Sequence, residues 1–382
     1  MSLGGPSSQH PFVSIDAERR RGRGATGNPT GRFEPRAKVV ADANHHYADL
    51  GWPAEGEGDG QGLGELAPIA TTVSEDATKS IIAHNTSPDI GFSQSINPYR
   101  GCEHGCIYCF ARPSHEYFGL SVGIDFETKL FAKPDAADLL RRELAHPRYK
   151  CAVMAIGTNT DPYQPVERKL GIMRSILEVL SECNHPVGIV TKSHLVTRDI
   201  DILADMAKRN LAAVNLSVTT LDRRLARRME PRAATPPKRL EAIAMLAKAG
   251  IPTGVMAAPI IPGLNDVEIE AILEAAHAAG ARSAAKTLVR LPHGVKDLFK
   301  DWLEENAPGR AKHVMSLIRS TRDGRDNDPQ FYSRMRGSGP YAEMLDQRFR
   351  AACERLGFNK ERVRLDTTAF RPPSVDGQLA LW

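Results

Sequence analysis

Between about residue 80 and residue 295 the chain alternates short apolar runs with stretches of helical period, and no other feature restricts its fold as much. The runs are Ile90 to Ile96, Ala152 to Gly157, Val187 to Lys192, Ala213 to Val218, Thr253 to Ile261 and Ala284 to Leu291. Helical segments lie between them at Ala136 to Leu144, Lys169 to Cys183, Ile200 to Arg209, Pro237 to Ala249 and Asp266 to Ala279. Parallel strands need crossover helices, so this alternation predicts an α/β fold of repeated βα units. Six units suit a partial (βα)6 barrel better than a closed eight-unit one. In barrels of this kind the functional residues gather on the loops after the strands.

The flanks have a different composition. Residues 1–75 are rich in Gly, Pro and Arg, with the run Arg19-Arg20-Arg21-Gly22-Arg23 and the acidic, glycine-rich Glu55 to Gly64. Little of this can bury a core, so it reads as a flexible, mostly disordered N-terminal tail. Its basic run is either solvated or a nonspecific nucleic-acid anchor, and Asn28 to Glu34 is the patch expected to dock on the barrel. Residues 76–295 form the barrel, residues 296–366 a helical, basic C-terminal extension, and residues 367–382 a tail. The whole chain is only mildly basic, with 50 Lys and Arg against 46 acids, but residues 310–364 alone hold thirteen against seven. There Phe331, Tyr332 and Tyr341 interleave with Arg319, Arg322, Arg325, Arg334 and Arg336. Charge beside stacking faces suits single strands or extruded bases, and equally describes a solvated helical cap. No apolar run approaches the ~18 residues of a membrane span. The opening MSLGGPSSQHPF has no signal-peptide stretch either, so no membrane partner and a cytoplasmic location are expected.

Six cysteines are present, and three of them, Cys102, Cys106 and Cys109, fall within eight residues. In a reducing compartment such a cluster is read as metal-binding or redox-active before it is read as a disulfide framework. The segment NPYRGCEHGCIYCFAR spaces the thiols as Cys-x3-Cys-x2-Cys. Three thiolates so spaced hold three irons of a [4Fe–4S] cube and leave the fourth open. A structural zinc would need a fourth ligand; His104 lies in the loop, but zinc ribbons generally use C-x2-C pairs. Cys183 and Cys353 sit in helical segments as small apolar residues.

This loop, following the first strand and followed by Phe110, resembles that of the radical S-adenosylmethionine (SAM) superfamily, over roughly residues 88 to 295. The resemblance implies a [4Fe–4S] cluster and S-adenosyl-L-methionine chelated to its open iron. It also implies an electron donor such as flavodoxin or ferredoxin, and cleavage of SAM to methionine and a 5′-deoxyadenosyl radical that abstracts hydrogen. Gly157 to Gln164 with Glu167, Val190 to Ser193, Asn215 to Thr219 and Met229 to Arg232 resemble, in that order, segments of the spore photoproduct lyase-like branch. By that resemblance Thr158 and Asn159 lie near the SAM methionine or ribose, Lys192 near its carboxylate and Ser217 near carboxylate or ribose, with Phe110 and Arg232 in the same cofactor set. Pro259 to Asn265 resembles the adenine-binding segment, with Ile261 and Leu264 covering the adenine face. Taken alone, Lys192 and Ser217 are also ordinary strand-end residues.

Lyases of this branch repair a crosslinked thymine pair made in DNA by ultraviolet light, and a cysteine on the second-strand loop returns the hydrogen. Aligned on Asp161, this chain has Thr158 there, and a hydroxyl cannot replace a thiol as hydrogen donor because its O–H bond is far stronger. Cys151 begins the same strand, some 20 Å away at ~3.3 Å per residue. The resemblance therefore implies a carbon–carbon lyase acting on UV-damaged DNA at a spore photoproduct-like, (6–4) or Dewar lesion, with Tyr99 and Tyr108 as candidate catalytic relays. An enzyme modifying RNA or a peptide is the alternative, although no further cysteine cluster follows Cys109; a non-enzymatic nucleic-acid binder with a structural cluster is a third. The terminal Gln378-Leu379-Ala380-Leu381-Trp382 resembles the peptide by which bacterial repair proteins dock the sliding clamp, and equally suits a segment folded back on its own domain.

Overall fold

A computed structural model describes Ile15, residues 20–33 and residues 69–373. Six strands make its central sheet: β1 (Gln94–Ile96), β2 (Met154–Ile156), β3 (Val187–Thr191), β4 (Ala212–Ser217), β5 (Thr253–Ile260) and β6 (Ser283–Leu288). They pair in chain order, all parallel, and the edge strand Ile82–His84 runs antiparallel to β1. An order that follows the chain without reversal belongs to a barrel and not to a doubly wound sheet. The six apolar runs thus become the six strands, five of them shorter by one to four residues because the loops at their ends carry apolar residues too, and the fourth of equal length shifted by one.

The crossover helices are α1 (Ala136–Leu144), α2 (Ile172–Glu182), α3 (Ile200–Lys208), α4 (Pro236–Lys248) and α5 (Ile269–Ala278). Each turns one stripe inward, for example Leu139, Leu140 and Leu144 from α1 and Ile176, Leu177 and Leu180 from α2, against Met154, Ile156, Val187, Ile189, Val214 and Leu216. Each such Leu or Ile adds about 2 kcal/mol by leaving water. Pro236 at the first position of α4 is preset for a helix start, where its missing N–H costs nothing.

Three longer helices follow among the described residues: α6 (Val295–Asn306), α7 (Ala311–Ser320) and α8 (Gly339–Leu356). Within the extension expected to face DNA, helix α8 packs on the barrel instead. Its Leu345, Phe349, Ala352 and Cys353 join the main core, and Arg348 and Arg355 pair with Glu270 and Glu274 of α5 at 2.6 and 2.7 Å. It serves as the outer helix after β6, and its charge is spent on a neighbour. Helices α6 and α7 bury Leu298, Phe299, Trp302, Val314 and Ile318 in a second cluster with Ile107, Tyr108, Ile261 and Leu264.

Two features were not foreseen in the sequence. A small sheet pairs Thr72–Glu75 with Lys129–Ala132 and these with Tyr99–Arg100, beside the cysteine loop. Residues 20–33 pack on the barrel instead of forming a tail, and the docked stretch starts well before Asn28. Arg20 donates to Ile15 O and Glu305, while Arg23 is buried and donates to Glu127 O, Ile69 O and Thr71. Arg20 and Arg23 are thus taken up by the domain, while Arg21 is exposed. At the other end of the chain Phe370 packs on Tyr149 and His185 under the N-terminal ends of the strands. Gln378–Trp382 lies outside the described residues. No helix among the described residues is long and apolar enough to cross a membrane.

Candidate active site

The loops at the C-terminal ends of the strands converge on the cysteine segment. Asn97 Oδ1, just after β1, accepts from the backbone N–H groups of Asn159 and Thr160 after β2, joining the two loops. Gly101 then turns at φ +76°, where a Cβ would press to within 2.8–2.9 Å of Leu130, the His115 ring and Phe126 O; only glycine fits. The next residue donates its N–H to Phe126 O at 2.9 Å, and the chain runs through Cys102, Cys106 and Cys109. Cys102 and Cys106 are buried; Cys109 is half-buried.

Four attachments hold this loop. Arg112, fully buried, donates Nε to Cys106 O at 3.0 Å and Nη2 to Glu127 at 2.5 Å. Glu127 also accepts from the backbone N–H groups of Gly24 and Ala25, so the N-terminal segment is tied to the back of the loop. Gly24 lies so close that a Cβ there would fall 1.7 Å from Gly105 O. On the opposite flank Ile107 N donates to Met229 O and Arg232 N to His104 O. Gln164, after β2, accepts from Glu103 N and donates to Gly101 O.

Two carboxylates order the remaining loops. Asp161 accepts from Thr191 Oγ1, Lys192 N and Tyr163 N at 2.7–2.9 Å, and its Oδ2 stands 3.4 Å from His104 Nδ1. Burial alone would raise this carboxyl; His104 and the donors outweigh it and bring it to about 2. Glu230 accepts from Tyr108 and Thr219 on one oxygen and from buried Arg239 on the other, while Arg239 also donates to Ser217 O at 3.0 Å. In the sequence Glu230 stands out only as part of Met229 to Arg232, and the helical position of Arg239 gives no sign of a partner nine residues earlier.

The donor set fits a cube. Burial pushes the Cys102 and Cys106 thiols well up, with the nearby Asp161 adding to it at Cys102 and Glu230 at Cys106, so ionising them calls for a cation between them. Among the described residues no three His, Cys, Asp or Glu groups converge to hold one metal ion. A cube places one thiolate on each of three irons, so its ligands stand around it and do not meet at a point.

The predicted cofactor residues ring this loop. Thr158 and Asn159 are half-buried after β2, and Ser217 is buried at the end of β4. Half-buried Lys192 follows β3, its Nζ 5.8 Å from the centre of the Tyr108 ring. Ile261 and Leu264 share an apolar cluster with Cys106 and Tyr108, and the turn between them is held by Asn265, which accepts from Ile261 N and donates to Thr219 O. Arg232 lies on the outer flank, paired with Glu103 at 3.0 Å. Phe110 is 46 % exposed, with the Arg290 guanidinium 5.2 Å from its ring centre. Tyr99 requires a correction: it is fully buried and its hydroxyl donates to Glu167, so it supports the β2 loop and cannot meet a substrate. Cys151 is half-buried and precedes β2, at the opposite end of that strand from the loop that meets the cysteine segment.

The predicted nucleic-acid residues divide. Arg322 is buried and donates to Ser333 O and Val289 O, a structural arrangement that withdraws it from any strand. Tyr341 donates to Asp266. Arg319 is paired with Asp326 at 2.7 Å and Arg334 with Asp89 at 2.6 Å, and Arg325 lies 3.6 and 3.8 Å from Asp323 and Asp328. Phe331, Tyr332 and Arg336 are exposed.

Residues 96–276 match the model of the Radical SAM superfamily. An uncharacterized protein of Mycobacterium tuberculosis is 36% identical over 230 residues, 60% of this chain and 68% of its own. An uncharacterized protein of Methanocaldococcus jannaschii is 29% identical over 178 residues, 47% of this chain and 64% of its own. Among solved structures, spore photoproduct lyase complexed with dinucleoside spore photoproduct superposes with a TM-score of 0.54 at 15% identity, over 75% of this chain and 80% of that one. A variant of that lyase with bound AdoMet aligns equally well, at 13% identity.

Proposed function

The chain belongs to the radical SAM superfamily, and from that premise we propose that it is a lyase reversing an ultraviolet-made pyrimidine photoproduct in DNA. The observation that carries this reading is the rim of the barrel mouth. Phe110, immediately after Cys109, is exposed under Arg290, and Arg334 lies 4.8 Å from the ring centre of exposed Phe331. Flat apolar faces beside cations are what an extruded base and its backbone need. The dinucleoside lesion bound by the lyase of like fold supports the same substrate class.

Bound at Cys102, Cys106 and Cys109, the cluster with SAM would supply one-electron reduction and a carbon radical able to abstract hydrogen. The chain's own residues orient and shield. Under this reading Lys192 would neutralise a carboxylate, Thr158, Asn159 and Ser217 would donate hydrogen bonds, Arg232 would have to leave Glu103 to do the same, and Ile261 and Leu264 would exclude water from an adenine face. Tyr108, also buried and with its hydroxyl bound to Glu230 and Thr219, is the remaining relay and would act through those partners without touching substrate itself. Thr158 offers no thiol, and among the described residues the cysteines outside the loop, Cys151, Cys183 and Cys353, belong to the base and the helices. The reading therefore favours a (6–4) or Dewar lesion over the spore photoproduct. It also assigns the electron to flavodoxin or ferredoxin, Gln378–Trp382 to a sliding clamp, and the protein to the cytoplasm.

The test is anaerobic incubation of reconstituted, reduced protein with SAM and irradiated oligonucleotides, following each photoproduct by mass spectrometry. SAM-dependent loss of one photoproduct is expected. Persistence of every lesion while 5′-deoxyadenosine forms would move the substrate to RNA or a peptide.

A further inference from the structure

We infer that the cavity between the loop after β6 and the 319–334 segment is a phosphate site, holding the phosphodiester of a nucleic-acid strand at the barrel mouth. The inference rests on the reading above only for the strand that carries the phosphate. The cavity has a volume of about 710 Å³, ample for a nucleotide, and its lining includes Arg290, Lys296, Arg319, Arg325 and Arg334 with a single acid, Asp326. That acid is already shared by Arg319 and Lys300, at 2.7 Å each. Asp89 binds Arg334 through both oxygens. Among the described residues, no carboxylate lies within the 4.0 Å of an ion pair from Arg290 or Lys296.

Arg290 makes the site specific. Its Nε is buried without a hydrogen-bond partner, a state that proteins avoid unless a ligand or water completes it. Its guanidinium is fixed against Phe110, one residue from Cys109. A fork of N–H donors in a cationic cavity matches the several oxygens of a phosphate better than any other common group. The exposed rings of Phe110 and Phe331 on either side give stacking faces for the attached bases, which a free anion or an acidic peptide would not use.

The test is fluorescence anisotropy of a labelled single-stranded deoxyoligonucleotide with the full chain, across a salt series, with an RNA oligonucleotide and inorganic phosphate as competitors. Arg290→Gln should weaken binding about tenfold and reduce the salt slope by about 0.7, the contribution of one phosphate on a single strand. Arg290→Lys, which keeps charge but loses the fork, should retain the slope at lower affinity. Lys296→Gln, on the cavity rim, should cost about threefold and serves if Arg290→Gln melts early. Competition by RNA as strong as by DNA would assign the strand to RNA and leave the site standing. Phosphate binding that depends on Arg290 with neither oligonucleotide bound would keep the site and end the nucleic-acid reading. Equal affinity and slope in wild type, Arg290→Gln and Lys296→Gln would overturn the site while leaving that reading intact.

Discussion

The two ends of the barrel strands are closed by different chemistry. Around the C-terminal ends lie the buried carboxylates Glu103, Glu127, Glu167 and Glu230 and the half-buried Asp161, each bound to an arginine or to loop backbone. At the N-terminal ends the closure is neutral: Tyr149 stands 2.7 Å from both Gln94 and His185, and Phe370 covers the pair. Burying a charge pair costs desolvation that apolar packing does not, so it is a poor way to gain stability alone. At the mouth such pairs fix irregular loops whose backbone has no ladder to join; at the base a plug suffices. This agrees with the division in barrels between a catalytic C-terminal face and a stabilising N-terminal one.

Breaking a mouth pair should produce the largest effect. Glu127→Ala leaves the buried Arg112 guanidinium uncompensated and releases Gly24 and Ala25, so urea unfolding of the apoprotein should show a loss of about 3–5 kcal/mol, with cluster loading lost as well. A loss under about 1 kcal/mol would mean the pair is not what holds the loop. At the base, the response should be to pH. Burial lowers His185 to about 4, against about 6.5 in the unfolded chain. The unfolded chain therefore takes up this proton first as pH falls from about 6.5 to 4, and stability drops across that window by on the order of 3 kcal/mol, with no contribution above it. His185→Gln should flatten that part of the profile; an unchanged slope would remove His185 from the account. Phe370→Ala should cost about 2 kcal/mol in the same urea assay and leave iron content unchanged. Arg336→Ala, exposed and outside both ends, should stay within about 0.5 kcal/mol of wild type.

The periodicity of the sequence made the barrel legible because each βα unit is local: apolar runs and helical stripes are written in consecutive residues. The cysteine loop was legible for the same reason, its three ligands lying within eight positions. What escaped is non-local. Residues 20–33 look too polar to fold, yet the Arg23 guanidinium and the N–H groups of Gly24 and Ala25 bond to Glu127, about a hundred residues on, and Arg23 also to Ile69 and Thr71. The arginines of residues 310–364 resemble a free basic face until Glu270, Glu274, Asp326 and Asp89 are set beside them. Strands of two to four residues, such as Tyr99–Arg100, carry too little period to be seen. Arg290 gave no signal at all, since only the fold brings the loop after β6 against Phe110.

The claim that the charged end of the barrel is a radical SAM centre, and the neutral end only its support, is tested most directly by reducing the iron-loaded protein with dithionite in the presence of SAM and quantifying 5′-deoxyadenosine. Wild type and Phe370→Ala should both form it and Cys106→Ala should form none. Product from Cys106→Ala, or its absence from fully loaded wild type, would contradict the account.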